Sequence, residues 1–459
     1  MKLLNILRKV TPRFINLLWH KVNAILAAFI YRFPAKNLKV IGITGTDGKT
    51  TTCNFIASIL EVAQKKVGLA TTVNLRIAGK EKEMKSDLTT VGPFQMQKIL
   101  SQMVKEKVEY AVIEVSSHAI AQSRIWGIEF NVVVFTNLSL EHLDYHKTYA
   151  HYKRDKGRLF QSLRRVSFII PKKHTKKISV VNIDDKEAPY FLSFKADKYV
   201  CFGISKNLKK YNVIKAININ LKDRGTEFTL VTPDGDIALH LNIPGKFNVY
   251  NALAAASVTW ALDFGLEAIR KGIEDVKGIP GRMEEIKTDD SRQNFRVLVD
   301  FAHTPQAIRE VLESLRKIFQ APRDTKNYPT GQGRIIAVFG SAGDRDRKKR
   351  PEMGKVAGKI ADMVILTTDD PRQENPAKIV QDIAKGLKEV GGRENTNYLI
   401  ILDRKEAIKE AIREAREGDV VVIMGIGHHR ALYVKDKKIP WDDREVAREA
   451  TEEILKDRD

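Results

Sequence analysis

The sequence predicts an α/β fold with two successive parallel sheets. Three observations predict it. Short apolar, β-rich runs alternate with segments of helical spacing from residue 38 to about residue 170, and again from Phe295 to Met424. A glycine-rich turn, Gly45-Thr46-Asp47-Gly48, joins the first run to the first helical segment. Between the two series, residues 211–244 alternate apolar and polar residues about Pro233-Asp234-Gly235-Asp236, the pattern of an antiparallel hairpin.

The elements follow in chain order. Leu38 to Ile43 reads as a buried parallel strand, and Phe55, Ile56, Ile59, Leu60 and Ala63 as one face of the helix after it. Tyr110–Val115 and Asn131–Thr136 are further strands ending in polar residues. Ligands of such sheets bind at the carboxyl ends of the strands, where Glu114, Ser116, Thr136 and Asn137 stand. The hairpin strands are Thr226–Thr232 and Ile237–Ile243, and an alanine-rich helix runs from Val249 to Phe264. Gly278-Ile-Pro-Gly281 reads as a hinge. Strands at Phe295–Asp300, Ile335–Gly340, Met363–Thr368, Tyr398–Leu402 and Val420–Met424, with helices between, make the second sheet. Ala321–Gly333 reads as a polar loop. The expected organisation is an N-terminal amphipathic helix segment (1–36), a central P-loop NTPase-like domain with antiparallel hairpin additions (37–280) and a C-terminal Rossmann-like α/β domain (281–459).

Composition bounds the function. The 459 residues carry 29% charged and 43% hydrophobic side chains, ordinary for a soluble protein, but a net charge of +21. Such a charge suits nucleic acid, an anionic membrane or a polyanionic small substrate. Lysine and arginine are spread along the chain beside acidic residues, with no long basic block, which argues against nucleic acid. Two distant cysteines, Cys53 and Cys201, offer neither a disulfide framework nor a cysteine-based zinc site, and fit a reducing cytoplasm. Met1 to Phe33 is basic and apolar but interrupted by His20, Lys21, Asn23 and Arg32, so it lacks the run of about twenty apolar residues a membrane span needs. It reads as one amphipathic helix ended by Pro34. Two uses stay open for it: packing its apolar face on the body of the protein, or peripheral contact with a membrane through its basic residues, Trp19 and Tyr31.

The chemistry starts at Gly45 to Thr51. Strand, glycine loop, Lys-Thr and helix form a phosphate-binding constellation: backbone N–H groups turn inward, Lys49 reaches the terminal phosphates, and Thr50 is placed to ligate Mg²⁺. Ile43 stands where the strict P-loop spacing has glycine. Glu114, at a neighbouring strand end, is placed to be a further Mg²⁺ ligand. Thr136-Asn-Leu-Ser-Leu-Glu-His142-Leu-Asp144-Tyr-His146 brings histidines and carboxylates to another strand end and suggests a second metal site.

These motifs, in this order, resemble the Mur ligase family, and more narrowly its branch that adds the third peptide residue of the cell-wall precursor. The likeness extends through Asp155-Lys156-Gly-Arg, Gly245-Lys-Phe-Asn248-Val-Tyr-Asn251, Gly281-Arg282-Met-Glu, Val299-Asp300-Phe-Ala-His303-Thr-Pro, Gly343-Asp-Arg345-Asp, Asp369-Asp370-Pro371-Arg372 and Asp442-Asp-Arg-Glu-Val-Ala, covering roughly residues 38 to 450. It implies a monomeric, cytoplasmic, ATP-dependent ligase that joins an amino acid, meso-diaminopimelate, to UDP-N-acetylmuramoyl-L-Ala-D-Glu through an acyl phosphate. It implies ATP contacts by Gly45, Thr46, Asp47, Gly48, Lys49, Thr50, Thr51, Asn251, Arg282 and Asp300. Two Mg²⁺ ions would be held by Thr50, Glu114, His142 and a CO₂-derived carbamate on Lys156, so that Lys49, Glu114, His142 and Lys156 form the catalytic group. Thr89, Thr90, Ser116 and Arg124 would contact the muramoyl-peptide. Arg345, Asp369, Asp370, Arg372, Gly425 and His429 would grip the acceptor, Arg372 pairing with the distal carboxylate that lysine lacks.

The sequence departs from the family pattern in four places. Asp47 replaces the usual loop asparagine, and Asp370 replaces an asparagine. Gly425-Ile-Gly427-His428-His429 stands for the usual Gly-Lys-Gly-His-Glu. Only Met1–Asn37 precedes the first strand, where the family has a uridine-diphosphate-binding domain. Two other readings stay open: a sibling amide ligase (lysine-adding, or like folylpolyglutamate or cyanophycin synthetase), and a non-catalytic P-loop protein that binds polyanions.

Overall fold

The computed structural model describes residues 12–82, 88–164, 176–320, 333–435 and 437–457. The polar loop expected at Ala321–Gly333 falls almost wholly outside the described residues, as does the start of the N-terminal helix.

The first sheet has eleven strands in chain order: β1 (Lys39–Thr44), β2 (Val67–Ala70), β3 (Leu75–Ile77), β4 (Lys80–Lys82), β5 (Tyr110–Glu114), β6 (Val132–Phe135), β7 (Ile178–Asn182), β8 (Lys198–Gly203), β9 (Asn212–Lys222), β10 (Gly225–Thr232) and β11 (Gly235–Leu241). Their spatial order is β11-β10-β9-β8-β7-β6-β1-β5-β2-β3-β4. The stretch from β2 to β9 is parallel, with β1 between β5 and β6. Both edges are extended by antiparallel strands: β10 and β11 at one side, as expected, and β3 and β4 at the other, which sequence reasoning missed. Each of those two strands is only three residues long, too short to show a period. The sequence reading also assigned no strand at β2, β7, β8 or β9, and the parallel sheet continues beyond residue 170, where the alternating series was expected to end.

Helices of this half are α1 (Arg13–Ile30), α2 (Lys49–Val62), α3 (Pro93–Lys105), α4 (Ser117–Ala121), α5 (Leu143–His146), α6 (Tyr149–Gln161), α7 (Ala188–Leu192), α8 (Lys246–Ala261) and α9 (Leu266–Glu274). On one face of the sheet, Ile41 and Ile43 of β1 share a core with Phe55 and Ile59 of α2 and with the buried alanines of α8. Small side chains let α8 lie close to both α2 and β8. On the other face, Val133 and Phe135 of β6 pack with Phe160 and Phe191, and the Phe135 and Phe191 rings stack at 3.8 Å.

The second sheet holds β12 (Glu284–Ile286), β13 (Arg296–Asp300), β14 (Ile335–Phe339), β15 (Met363–Leu366), β16 (Tyr398–Ile400) and β17 (Val420–Met424), in the order β12-β13-β17-β14-β15-β16. All neighbours are parallel except the short antiparallel edge β12. A separate hairpin, β18 (Ala431–Val434) and β19 (Lys437–Pro440), was not anticipated from the sequence. Helix α10 (Pro305–Gln320) packs on α8 and β9, so the two halves share apolar contact. The glycine hinge is fixed at its end. The Gly281 N–H donates to Glu284 Oε2 (2.7 Å), and a Cβ there would meet the His428 nitrogen at 2.3 Å.

The N-terminal helix differs from the packing expectation. The side it turns to the protein is small, with Ala24, Ala27 and Ala28 fully buried, while its large apolar residues face outward. No helix among the described residues is long and apolar enough to cross a membrane.

Phe135 is fully buried and stacked, so Phe135→Ala removes a ring that neighbours cannot replace. It is expected to lower the stability of this half by about 3–5 kcal/mol, read from urea unfolding followed by circular dichroism.

Candidate functional site

The turn after β1 is held from beneath by the end of β6. Thr46 N–H donates to Asn137 O (2.9 Å), Asp47 N–H to Asn137 Oδ1 (2.8 Å), and Thr136 Oγ1 to Asp47 O (2.7 Å). Close approach explains the glycines. A Cβ on Gly45 would lie 1.8 Å from Thr136 Oγ1. Gly48, at φ +80, caps α2, and a Cβ there would lie 2.1 Å from Asn251 Oδ1. Asn251 thus packs under the loop, held through Nδ2 to Asn248 Oδ1 (3.0 Å).

Lys49 opens α2, and its Nζ donates to Thr46 O (2.7 Å). Thr50 Oγ1 donates to Glu114 Oε2 (2.8 Å), and the same oxygen accepts from the N–H and the hydroxyl of Thr72, each at 2.9 Å. Arg282 reaches across from the second half, with Nη2 3.3 Å from Thr50 Oγ1 and its guanidinium over the Phe301 ring. Asp300 accepts from Met283 N–H (2.8 Å) and Ala302 N–H (2.7 Å), so both oxygens already organise backbone at the cavity wall.

Lys156, on α6, is fully buried. Its Nζ donates to Gly45 O (2.5 Å) and lies over the Tyr152 ring. Burial, and then the nearby Lys49 charge, hold its ammonium well below the usual lysine range. His142, at φ +57, stands 3.4 Å from Glu141 Oε2. Burial pushes His142 down to about 4 despite the Glu141 charge, and burial with the neighbouring His142 and His146 pushes His118 down to about 2. Both imidazoles are therefore neutral near pH 7, the form that can bind a metal. His146 is buried between Asp155 (Nδ1 to Oδ2, 2.8 Å) and Ser117 (Nε2 to Oγ, 3.0 Å), which ties α6 to α4.

Thr89 lines the cavity, but Thr90, Ser116 and Arg124 form a hydrogen-bonded group outside its lining. Thr90 is buried. Its hydroxyl donates to Glu114 O (2.9 Å), and its carbonyl accepts from Arg124 Nη1 (2.7 Å). Its hydroxyl also accepts from Ser116 N–H (2.9 Å), so it is a brace, not an open binding group.

Arg345, Asp369, Asp370, Arg372, Gly425 and His429 all line the same cavity as the loop, Glu114 and His142, a space of about 280 Å³ between the two halves. Arg345 Nη1 approaches Asp144 Oδ2 of the first half at 3.9 Å. Asp370 Oδ1 accepts from Tyr433 N–H (2.5 Å), and its Oδ2 is 3.5 Å from Arg372. A Cβ on Gly425, at φ +114, would meet Asp369 Oδ2 at 2.5 Å.

Several residues of the site had no assigned role in the sequence reading. Thr72 braces Glu114 from a loop without a motif. Glu141 is buried and joins the halves: its Oε1 is 2.9 Å from His303 Nε2, and Lys349 Nζ donates to His303 O (2.7 Å). Both Glu141 and His303 lay inside motifs that had been singled out for other residues. Arg404 pairs with Asp443 in full burial (2.8 and 2.7 Å) and also donates to Thr368 O and Met424 O, setting the backbone just before Asp369 and Gly425.

The depressed imidazoles fix a sign for pH dependence. Unfolded histidine takes up a proton below about pH 6.5, while folded His118 does not until about 2. Stability is therefore complete above pH 6.5 and falls as pH drops below it. The thermal midpoint should decline from pH 7 to pH 5, and His118→Asn should make that decline shallower in calorimetric scans.

Residues 43–259 match the Mur ligase middle domain, and residues 281–427 match the Mur ligase glutamate ligase domain. The chain is 38% identical over 434 residues to the UDP-N-acetylmuramoyl-L-alanyl-D-glutamate--2,6-diaminopimelate ligase of Clostridium botulinum, covering 95% of this chain and 82% of the relative. It is 39% identical to the enzyme of the same name from Caldanaerobacter subterraneus, over 94% of this chain and 82% of the relative. A solved structure of a ligase of that name superposes with a TM-score of 0.61 at 30% identity, over 94% of this chain and 83% of the other. Folylpolyglutamate synthase of Mycobacterium tuberculosis superposes at 0.67 with 16% identity, over 88% of this chain and 92% of the other, a likeness of fold alone. With family models matching residues 43–259 and 281–427, and relatives 38–39% identical over 94–95% of its length, the chain belongs to the Mur ligase family.

Proposed function

We propose that this chain is an ATP-dependent amide ligase that adds 2,6-diaminopimelate, in its meso form, to UDP-N-acetylmuramoyl-L-Ala-D-Glu, a step in peptidoglycan precursor synthesis. The observation that carries the reading is the shared cavity: a phosphate loop with Lys49 and Thr50 opens onto the same space as the paired arginines Arg345 and Arg372. The names of the relatives at 38–39% identity support it. In this reading residues 37–280 bind ATP, residues 281–459 bring the acceptor, and 1–36 is an accessory segment. The enzyme works in the cytoplasm as a monomer.

A carboxylate is a poor electrophile, which is why ATP is consumed. The donor's D-glutamyl side-chain carboxylate takes the γ-phosphoryl group, the bond to the bridging oxygen breaks, and ADP leaves. The free amine of the acceptor then attacks the acyl carbon, the C–O bond to phosphate breaks, and an amide forms. Lys49 and Arg282 neutralise charge on the transferred phosphoryl group, with the Gly45–Thr51 backbone, Asn251 and Asp300 positioning the nucleotide. Thr89 meets the muramoyl-peptide, with Thr90, Ser116 and Arg124 as the wall behind it.

Among the described residues, no three His, Cys, Asp or Glu side chains converge as a metal cage. Mg²⁺ needs none, being bound by one or two carboxylates with substrate phosphates and water. Thr50 and Glu114 offer such a hard-oxygen pair, and His142 with a carbamate on Lys156 would hold a second ion. The ions supply charge neutralisation at the phosphoryl oxygens. Lys156 suits carbamate formation because burial disfavours its ammonium and so favours the free amine that adds to CO₂. The carbamate would then place negative charge where an ammonium would repel metal.

For the acceptor, Arg372 and Arg345 supply cations for carboxylates, and Asp370 supplies the anion for the distal ammonium. That assigns to Asp370 the charge that His429 cannot provide.

Release of phosphate on mixing protein, ATP, Mg²⁺ and the UDP-dipeptide with a panel of amino acids should be strongest with meso-diaminopimelate; preference for L-lysine would overturn the assignment of Arg372. Asp370→Asn is expected to raise KM for diaminopimelate about tenfold or more, with kcat little changed, since it removes one charge-assisted contact. Lys156→Ala should abolish turnover with an unchanged circular dichroism spectrum. Stripping CO₂ from the wild type should slow turnover until bicarbonate is restored.

A further inference from the structure

Helix α1 is inside out. Phe14, Leu18, Trp19, Val22, Leu26 and Phe29 lie on one side of it and are between 40% and 71% exposed. The opposite side is small and sealed to the protein. Ala24, Ala27 and Ala28 are fully buried, and α1 packs along α3. Ala28 lies so close to Gly127 that a Cβ there would come within 2.8 Å. Phe33, just beyond α1, closes the contact through Phe29 and Trp126. The protein thus holds the helix by its narrow face and presents its broad one. An apolar face of this size on an 18-residue helix would ordinarily be turned to the core.

The charge around the face is one-sided. Eight lysines and arginines precede the first acidic residue, Asp47. Lys21 on the helix, and Arg32 and Lys36 just after it, are exposed. Self-association through this face would bring two such cationic regions together, which opposes it. Over its described residues α1 is not long and apolar enough to cross a membrane. A broad apolar face with an exposed tryptophan, in a segment whose only charges are positive, matches the headgroup–acyl boundary of an anionic bilayer.

We propose that α1 docks the enzyme, lying in the plane of the surface, on a membrane of anionic phospholipid. The proposal goes beyond the reaction assigned above and does not depend on it. Because α1 is fixed to the body through Ala24, Ala27 and Ala28, docking carries the whole catalytic unit to the surface.

The test is flotation of the full chain with vesicles of phosphatidylcholine containing one third phosphatidylglycerol, against vesicles of phosphatidylcholine alone. Binding is expected to the anionic vesicles, to weaken with added salt, and to be accompanied by quenching of Trp19 by brominated lipid, a signal that Trp19→Phe removes. The variant Phe14→Ser/Leu18→Gln/Leu26→Gln should lose binding by about tenfold or more, with unchanged thermal midpoint and unchanged ATP turnover. Failure of the wild type to float with anionic vesicles would overturn the proposal, as would undiminished flotation of the triple variant. So would sedimentation showing a wild-type dimer that the triple variant converts to monomer, since that would make a second copy the occupant of the face.

Discussion

The structure depends on how the turn after β1 is gripped from below. Gly45 gives its carbonyl to the buried Lys156, and Thr136 and Asn137 hold Thr46 and Asp47 by their backbone. The N–H groups at the start of α2 have no partner within the helix and are the ones suited to an anion, while the N–H groups of Thr46 and Asp47 and the loop carbonyls are satisfied by neighbouring strand ends and by α6. This forces glycine at the two closest approaches. It also explains why strands far apart in sequence, β1 and β6, must be adjacent in the sheet. A slip of that pairing would dismantle the loop.

The same constraint places charge in burial. Glu114 and Glu141 are almost wholly enclosed, and Lys156 entirely so. None is tolerable alone. Glu114 is held by two threonines, and Glu141 by His303 and the nearby Lys349 charge. Lys156 yields its proton more readily than a surface lysine would. The cost of burial is thereby met by neutral imidazoles at His118 and His142 and by a lysine whose ammonium is disfavoured.

The two halves meet through polar contacts concentrated at the cavity. Arg282 with Thr50, His303 with Glu141, and Arg345 toward Asp144 all cross the interface. Each pairs groups from both halves, so the site is complete only with the halves together. Behind the acceptor side, the buried Arg404–Asp443 pair fixes two loop carbonyls, giving the wall of the cavity a rigidity that loops alone lack.

Local sequence determined the elements and the chemistry of the loop. Apolar runs of five or six residues, glycine at positive φ and a lysine at a helix start are local consequences of sterics and hydrogen bonding. They located β1, β5, β6, β10 and β11 of the first sheet and β13 to β17 of the second, but not β2, β7, β8 or β9, and the ordered motifs gave the family. The three-residue strands β3, β4 and β12 carry too short a run to show a period, whereas β16, equally short, was legible because its apolar run continues to Leu402. Only the tertiary structure decided which polar residues act as braces and which face the cavity. Thr90 and Thr89 are adjacent in sequence, yet one is sealed and the other lines the cavity, because hydrogen bonds to Glu114, Ser116 and Arg124 hold Thr90 inward in the bend before α3, and residue type alone could not say so. Glu141 and His303 are 162 positions apart, and no local signal could join them. The direction of α1 was likewise undecided by its amphipathic sequence. A helix with large residues on one side and alanines on the other can pack by either, and here close approach to Gly127 chose the alanines.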